Sequence, residues 1–241
     1  MRLLVKLFGD SIIGRVVQDE PGGRYRRLDP LEKIQQDEIR LDLVNFGKFG
    51  YTIGKAKRLI ERQLLRDPEF QVILLEYGGN DCNYEWAEVG RRPEQDHQPG
   101  TPLKEFHETY VEIISLLKKQ GVRPIMMNLP PIDAVKFFDT WIAPDENSAA
   151  ILDWLGDVQK IYRWHELYSL ETEEIARRTN TPLIDVRKPF LGRRDFPTLI
   201  GPDGMHPTEK GHTLIVEAVR EFISQLDMTR PWLKPLLGFG E

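Results

Sequence analysis

The chain is poor in the residues that most often announce a chemistry, with one cysteine, five histidines and five serines in 241 residues. Cys82 alone closes no internal disulfide, so the fold must rest on an apolar core, and 40% hydrophobic residues suffice for one of good size. Long apolar runs are missing too: none approaches the ~20 residues of a membrane span. From Met1 to Phe8, Lys6 interrupts the apolar residues and no small-residue cleavage site follows, so this stretch reads as a first strand and the cytoplasm as the expected compartment. The 33 basic residues are outnumbered by 38 acidic ones, for a net charge of -5. No basic stripe is long enough to track a phosphate backbone, which argues against nucleic acid as a partner.

What is present is alternation. Short apolar runs at Leu3 to Phe8, Ile39 to Asn45, Val72 to Tyr77, Pro124 to Met127 and Leu183 to Val186 end near Gly, Asn, Asp or Pro. Segments of helical period separate them: Ile53, Ala56, Ile60 and Leu64; Leu103, Phe106, Tyr110, Ile113, Ile114 and Leu117; Val158, Ile161, Trp164 and Tyr168; and Leu214, Ile215, Ala218, Val219, Phe222 and Leu226. The pattern predicts an α/β fold, a five-stranded, mostly parallel, doubly wound sheet, in one domain spanning 1–241. Three polar or proline-containing inserts, near 12–37, 82–101 and 129–156, break the alternation and are expected to rim the carboxyl edge of the sheet, where such folds bind ligands. The extension 227–241 carries Trp232, Leu233, Leu236, Leu237 and Phe239 broken by two prolines. It is expected to pack back on the domain or to contact another copy, making a homo-oligomer.

The scarcity of serine makes the search for a nucleophile exhaustive. Ser115, Ser169 and Ser224 fall in predicted helices and Ser148 in a long acidic loop; Ser11, in Gly9-Asp10-Ser11, alone follows the carboxyl end of a strand. There it can present both its hydroxyl and its backbone N–H, although the tripeptide also suits an ordinary turn. Of the histidines, His107 and His165 lie in predicted helices, His97 in a charged loop and His212 at the start of the last helix. In Asp203-Gly204-Met205-His206-Pro207 a carboxylate three residues before the ring can accept from one nitrogen and leave the other to face a nucleophile. The competing reading is that Asp203 and His206 only complete the turn into that helix.

Acyl transfer needs donors aimed at the developing oxyanion. Two strand ends qualify, Asn45-Phe46-Gly47-Lys48-Phe49-Gly50 and Gly78-Gly79-Asn80-Asp81. With these four blocks in order, the chain resembles the SGNH hydrolases, the GDSL-like lipase/acylhydrolases, over nearly its whole length. The resemblance implies a three-layer α/β/α, flavodoxin-like fold. It further implies Ser11 as nucleophile, His206 as general base oriented by Asp203, and an oxyanion hole made of the N–H of Ser11, the N–H of Gly50 and the amide of Asn80. Gly47 competes with Gly50 for that place, and Ile12 stands where the family often has leucine.

The expected activity is hydrolysis of a small-molecule ester through an acyl-enzyme, needing no metal or cofactor. A short acyl group such as acetyl on a carbohydrate or small alcohol is favoured, with Tyr84 and Trp86 as substrate contacts and Arg91 and Arg92 nearby. The alternatives are a lipase, lysophospholipase or thioesterase acting on longer chains, for which Phe137, Phe138, Trp141, Ile142 and Trp154 either line an acyl pocket or, as loop aromatics commonly do, simply pack their loop onto the domain, and a silent binding module. A metallophosphoesterase is disfavoured because Asp-x-His and Asn-His-Glu are missing.

Overall fold

A computed structural model describes residues 2–36, 39–66 and 71–225. The extension 227–241, and with it the expected contact between copies, lies outside the described residues, as does Leu226. The strands are β1 (Arg2–Gly9), β2 (Val16–Val17), β3 (Arg26–Arg27), β4 (Lys33–Gln36), β5 (Ile39–Asn45), β6 (Val72–Glu76), β7 (Arg123–Met127) and β8 (Leu183–Ile184). The helices are α1 (Ile53–Arg66), α2 (Trp86–Arg91), α3 (Leu103–Lys119), α4 (Ala134–Phe137), α5 (Ser148–Leu155), α6 (Gln159–Arg178), α7 (Arg187–Leu191) and α8 (Glu209–Ser224).

The main sheet has the order β4-β5-β1-β6-β7-β8, parallel throughout except for β4. It therefore has six strands, one more than the periodicity predicts. The extra one, β4, pairs antiparallel with β5 and puts Ile34 opposite Leu41. Its sequence Lys-Ile-Gln-Gln offers one apolar residue in four, too little alternation to be legible. The same insert also forms a ribbon, with Val16 and Val17 of β2 opposite Arg27 and Arg26 of β3.

Successive residues of β1 serve opposite faces of the sheet. Phe8, with Ile73 and Leu75 of β6, packs against α1, α3 and α6 through Ile53, Ile60, Phe106, Ile113 and Tyr168. Leu3, Val5 and Leu7, with Val72 and Leu74, face Phe190 of α7 and Ile215 and Ala218 of α8. Two of the predicted long loops are ordered by a third apolar cluster of their own, which joins Val89 of α2, Phe137 of α4, Ile142, and Ile151 and Leu155 of α5. Ser148, expected in a loop, opens α5.

The chain runs from β1 outward to β5 on one side and returns to β6 on the other. The strand order therefore reverses at β1/β6, and a parallel sheet opens its ligand crevice at the carboxyl ends of the strands at such a point. Gly9-Asp10-Ser11 and Gly78-Gly79-Asn80 leave the sheet there. Ile73, fully buried on central β6, sets the scale of the packing. Ile73→Ala should cost about 2–5 kcal/mol of unfolding free energy in a denaturant titration; Val135→Ala, at a half-exposed position, should change it by less than about 0.5 kcal/mol.

Candidate functional site

The loop after β1 is a tight turn, in which Gly14 N–H donates to Asp10 O at 2.9 Å and Val16 N–H to Ser11 O at 3.0 Å. It is held from β5 by Asn45, whose amide Nδ2 donates to Ile13 O at 2.7 Å. The turn carrying Asp203 and His206 is fixed from two sides. Gly201 N–H donates to His206 O at 2.7 Å, and Asp133 N–H reaches across from the segment before α4 to Gly204 O at 2.8 Å. Gly204 has φ +73°, and a Cβ there would stand 2.2 Å from Phe137 N, so only glycine lets the two segments meet.

These turns bring Ser11, His206 and Asp203 together. Ser11 Oγ lies 2.8 Å from His206 Nε2, and His206 Nδ1 lies 2.5 Å from Asp203 Oδ2. Asp203 Oδ1 accepts the backbone N–H groups of Met205 and His206, each at 3.0 Å. Burial alone would raise the Asp203 pKa. The hydrogen bond and charge of His206 and these two N–H donors outweigh it and hold the carboxyl below its ordinary value. An ionised, fully accepting Asp203 selects the imidazole tautomer with its proton on Nδ1, leaving Nε2 free to take a proton from the serine hydroxyl.

The donors at the two other strand ends separate cleanly. Gly47 N–H donates to Asn45 Oδ1 at 2.7 Å, and a Cβ on Gly47 would lie 2.4 Å from Gly14 N. Its N–H is thus spent inside the loop. Gly50 sits in the left-handed region at φ +69° with open space where a Cβ would be, and no hydrogen bond among the described residues engages its N–H. Asn80 Nδ2 donates to Asp10 Oδ2 at 2.8 Å, which leaves the second hydrogen of that amide for another acceptor.

Aromatic rings close over the histidine. Tyr25, from between β2 and β3, has its ring centroid 5.1 Å from that of His206, and Phe49 stacks on the same imidazole at 5.6 Å and 17°. Trp141 stacks on Tyr25 and donates its indole N–H to Asp203 O at 3.1 Å. Burial and the Asp203 charge push the Tyr25 hydroxyl pKa up. Sequence reasoning missed Tyr25, whose neighbours Arg24, Arg26 and Arg27 give the segment a plainly solvated look.

Tyr84 and Trp86 pack with the third apolar cluster, which also holds Met205, the neighbour of His206. With Trp154, Trp164, Phe137 and Met205 they line a cavity of about 40 Å³ that Gly79 also bounds. Trp86 Nε1 donates to Asn83 Oδ1 at 2.9 Å. Arg91 and Arg92 both pair with Glu88, and neither is among the residues that line this cavity. Phe137 and Ile142 are buried in the apolar cluster of the inserts. Of the other histidines, His107 meets Glu171, His212 sits 3.2 Å from Val16 O, and burial lowers the pKa of His165 to about 3. Among the described residues no group of three or more His, Cys, Asp or Glu is arranged to hold a metal ion, and no helix is long and apolar enough to cross a membrane.

A strand-turn serine, an acid-supported histidine and free donors on one edge of a doubly wound sheet are the parts that acyl transfer requires. The model of the GDSL-like lipase/acylhydrolase family matches residues 7–214, and the chain belongs to that family. It is 25% identical over 190 residues to a lipoprotein of Bacillus subtilis, covering 75% of this chain and 73% of that one. It is 23% identical over 224 residues to the isoamyl acetate-hydrolyzing esterase of Saccharomyces cerevisiae, covering 90% and 84%. The fold is shared with the acetylxylan esterase Axe2 of Geobacillus stearothermophilus, at a TM-score of 0.59 and 17% identity over 95% of this chain and 97% of that one.

One carboxyl beside the site gives a pH test. Asp81 accepts from Ile53 N–H at 2.9 Å, capping the start of α1, and burial pushes its pKa from 3.8 to about 7. A carboxyl raised in the folded state contributes stability below its unfolded value and loses it as pH rises through the folded value. Asp81→Asn should therefore flatten the decline in unfolding free energy between pH 3.8 and about 7, measured by denaturant titrations across that range.

Proposed function

We propose that the protein is a serine esterase that cleaves short-chain carboxylic esters, foremost an acetyl group on a carbohydrate or other small alcohol, through an acyl-enzyme on Ser11. The observation that carries this reading is the unbroken chain from Ser11 Oγ to His206 to Asp203, at 2.8 and 2.5 Å. His206 takes the serine proton as Oγ attacks the ester carbonyl. The N–H groups of Ser11 and Gly50 and the free hydrogen of the Asn80 amide receive the oxyanion, each worth roughly 3–4 kcal/mol in the transition state. His206 then returns the proton to the departing alcohol, and the same steps with water release the acid.

The choice of a short acyl group rests on size. A water needs at least about 10–15 Å³ of cavity volume, so the cavity of about 40 Å³ beside Gly79 and Met205 is of a size that suits an acetyl or propionyl group. Tyr84 and Trp86 belong to this acyl side. Tyr25, Phe49 and Trp141, with Phe49 and Trp141 in part exposed, offer the opposite wall, flat apolar faces against which the alcohol or a sugar ring can stack. The acetyl esters in the names of the yeast and Geobacillus proteins agree with this reading.

Ser11→Ala and His206→Ala should each lower kcat on p-nitrophenyl acetate by at least about 1,000-fold, and Asp203→Asn by about 10,000-fold, with unchanged circular dichroism. Undiminished turnover by Ser11→Ala would refute the assignment. Across p-nitrophenyl esters of rising chain length, kcat/KM should peak at acetyl or propionyl; a peak at octanoyl or beyond would instead support the long-chain lipase reading.

A further inference from the structure

Beneath the oxyanion donors lies a pair of acids that the serine chemistry does not use. Glu76 ends β6 in register with Gly9 at the end of β1, which sets its fully buried side chain against the carboxyl of Asp10, itself 2% exposed. The two are unequally supplied with donors. Asp10 Oδ1 accepts Ile12 N–H and Asp10 Oδ2 accepts Asn80 Nδ2, both at 2.8 Å. Among the described residues neither oxygen of Glu76 has a hydrogen-bond donor in good geometry, and the Asp10 N–H only weakly opposes the rise in its pKa. Two carboxylates in contact in a dry site do not both ionise. The charge belongs where the donors are, and the proton on the acid that is less well supplied.

We infer that Glu76 is a positioning residue held as the neutral acid, its O–H donating to Asp10, so that Asp10 in turn pins one hydrogen of the Asn80 amide and aims the other at the oxyanion. The inference rests on the oxyanion role proposed for Asn80. Burial, and then the Asp10 charge, push the Glu76 pKa well above its ordinary value; burial raises Asp10 as well, while Ile12 N–H, His206, Glu76 and Asn80 pull it back. Asp81, Tyr77, Tyr110 and Cys82 also face the pair, all buried acids that discourage a second negative charge. A pinned amide needs no reorganisation as charge develops on the substrate oxygen, which is where such donors gain their effect.

The test combines turnover with a spectroscopic signature. Glu76→Ala should lower kcat on p-nitrophenyl acetate about 10- to 100-fold, short of the full loss of an oxyanion donor, with KM changed by less than about threefold. Glu76→Gln, which keeps an N–H donor to Asp10, should restore most of that loss. In an Asn80→Ala background, Glu76→Ala should add little, since the two act as one unit. Infrared difference spectra at neutral pH should show a protonated-carboxyl C=O band in the native protein that is missing in Glu76→Gln. Losses that multiply in the double variant, no rescue by Gln, or an unchanged band would overturn the inference. If Glu76→Ala fails to fold, the band and the Gln variant still decide. The band does not depend on catalysis, so failure of the esterase reading, shown by active Ser11→Ala, remains distinguishable from failure of this one.

Discussion

The hydrogen bond between Ser11 Oγ and His206 Nε2 spans 2.8 Å in space and 195 positions in sequence, and the fold can be read as the apparatus that closes that gap. A serine at the end of β1 meets a histidine placed before α8 only because both leave the sheet layer on its carboxyl edge. The crossing β1-β6 pair supplies the edge, Asn45 ties the serine turn to β5, and Gly204 lets the histidine turn press against the segment before α4. Each contact is a modest hydrogen bond, worth about 1 kcal/mol net. Together they remove the freedom that would otherwise let a 2.8 Å contact drift, and positional error of about 1 Å is costly in catalysis.

Electrostatics divides the acids around the site into two kinds. Asp203 accepts from His206 Nδ1 and two backbone N–H groups and is held ionised. Glu76 and Asp81 are pushed the other way by burial, offset only in part by the Asp10 N–H for Glu76 and by the Ile53 N–H for Asp81. Asp10 stands between, with two donors on its oxygens. In the proposed mechanism the first kind supports a developing imidazolium, while the second, biased towards the neutral form, limits negative charge beside the oxyanion. A site that must stabilise both charges in one transition state gains from that separation.

Much of this was legible in the chain. Strand positions followed from apolar runs, as at Ile39–Asn45, where the predicted and observed boundaries coincide. Ser11 stood out because no rival serine followed a strand, and the four blocks were in family order. What escaped reading depends on distance in three dimensions. β4 exists because Leu41 opposite Ile34 makes a partner for it, which four residues with one apolar side chain cannot announce. The inserts fold because Val89, Phe137 and Ile151 find one another across long stretches of sequence. Tyr25 looks like one more residue in an arginine-rich turn until the ribbon folds it over His206. The choice between Gly47 and Gly50 was open in sequence, and it turns on one local hydrogen bond to Asn45.

If the proposed mechanism holds, the acyl group passes through a covalent bond to Ser11. Mixing the protein with a p-nitrophenyl ester, quenching in acid within the first turnover and mapping the adduct by peptide mass spectrometry tests it directly. An added acyl mass is expected on the peptide containing Ser11 and on no other. Steady turnover with the adduct on a different residue, or with no adduct under conditions where a burst of p-nitrophenol is seen, would contradict it.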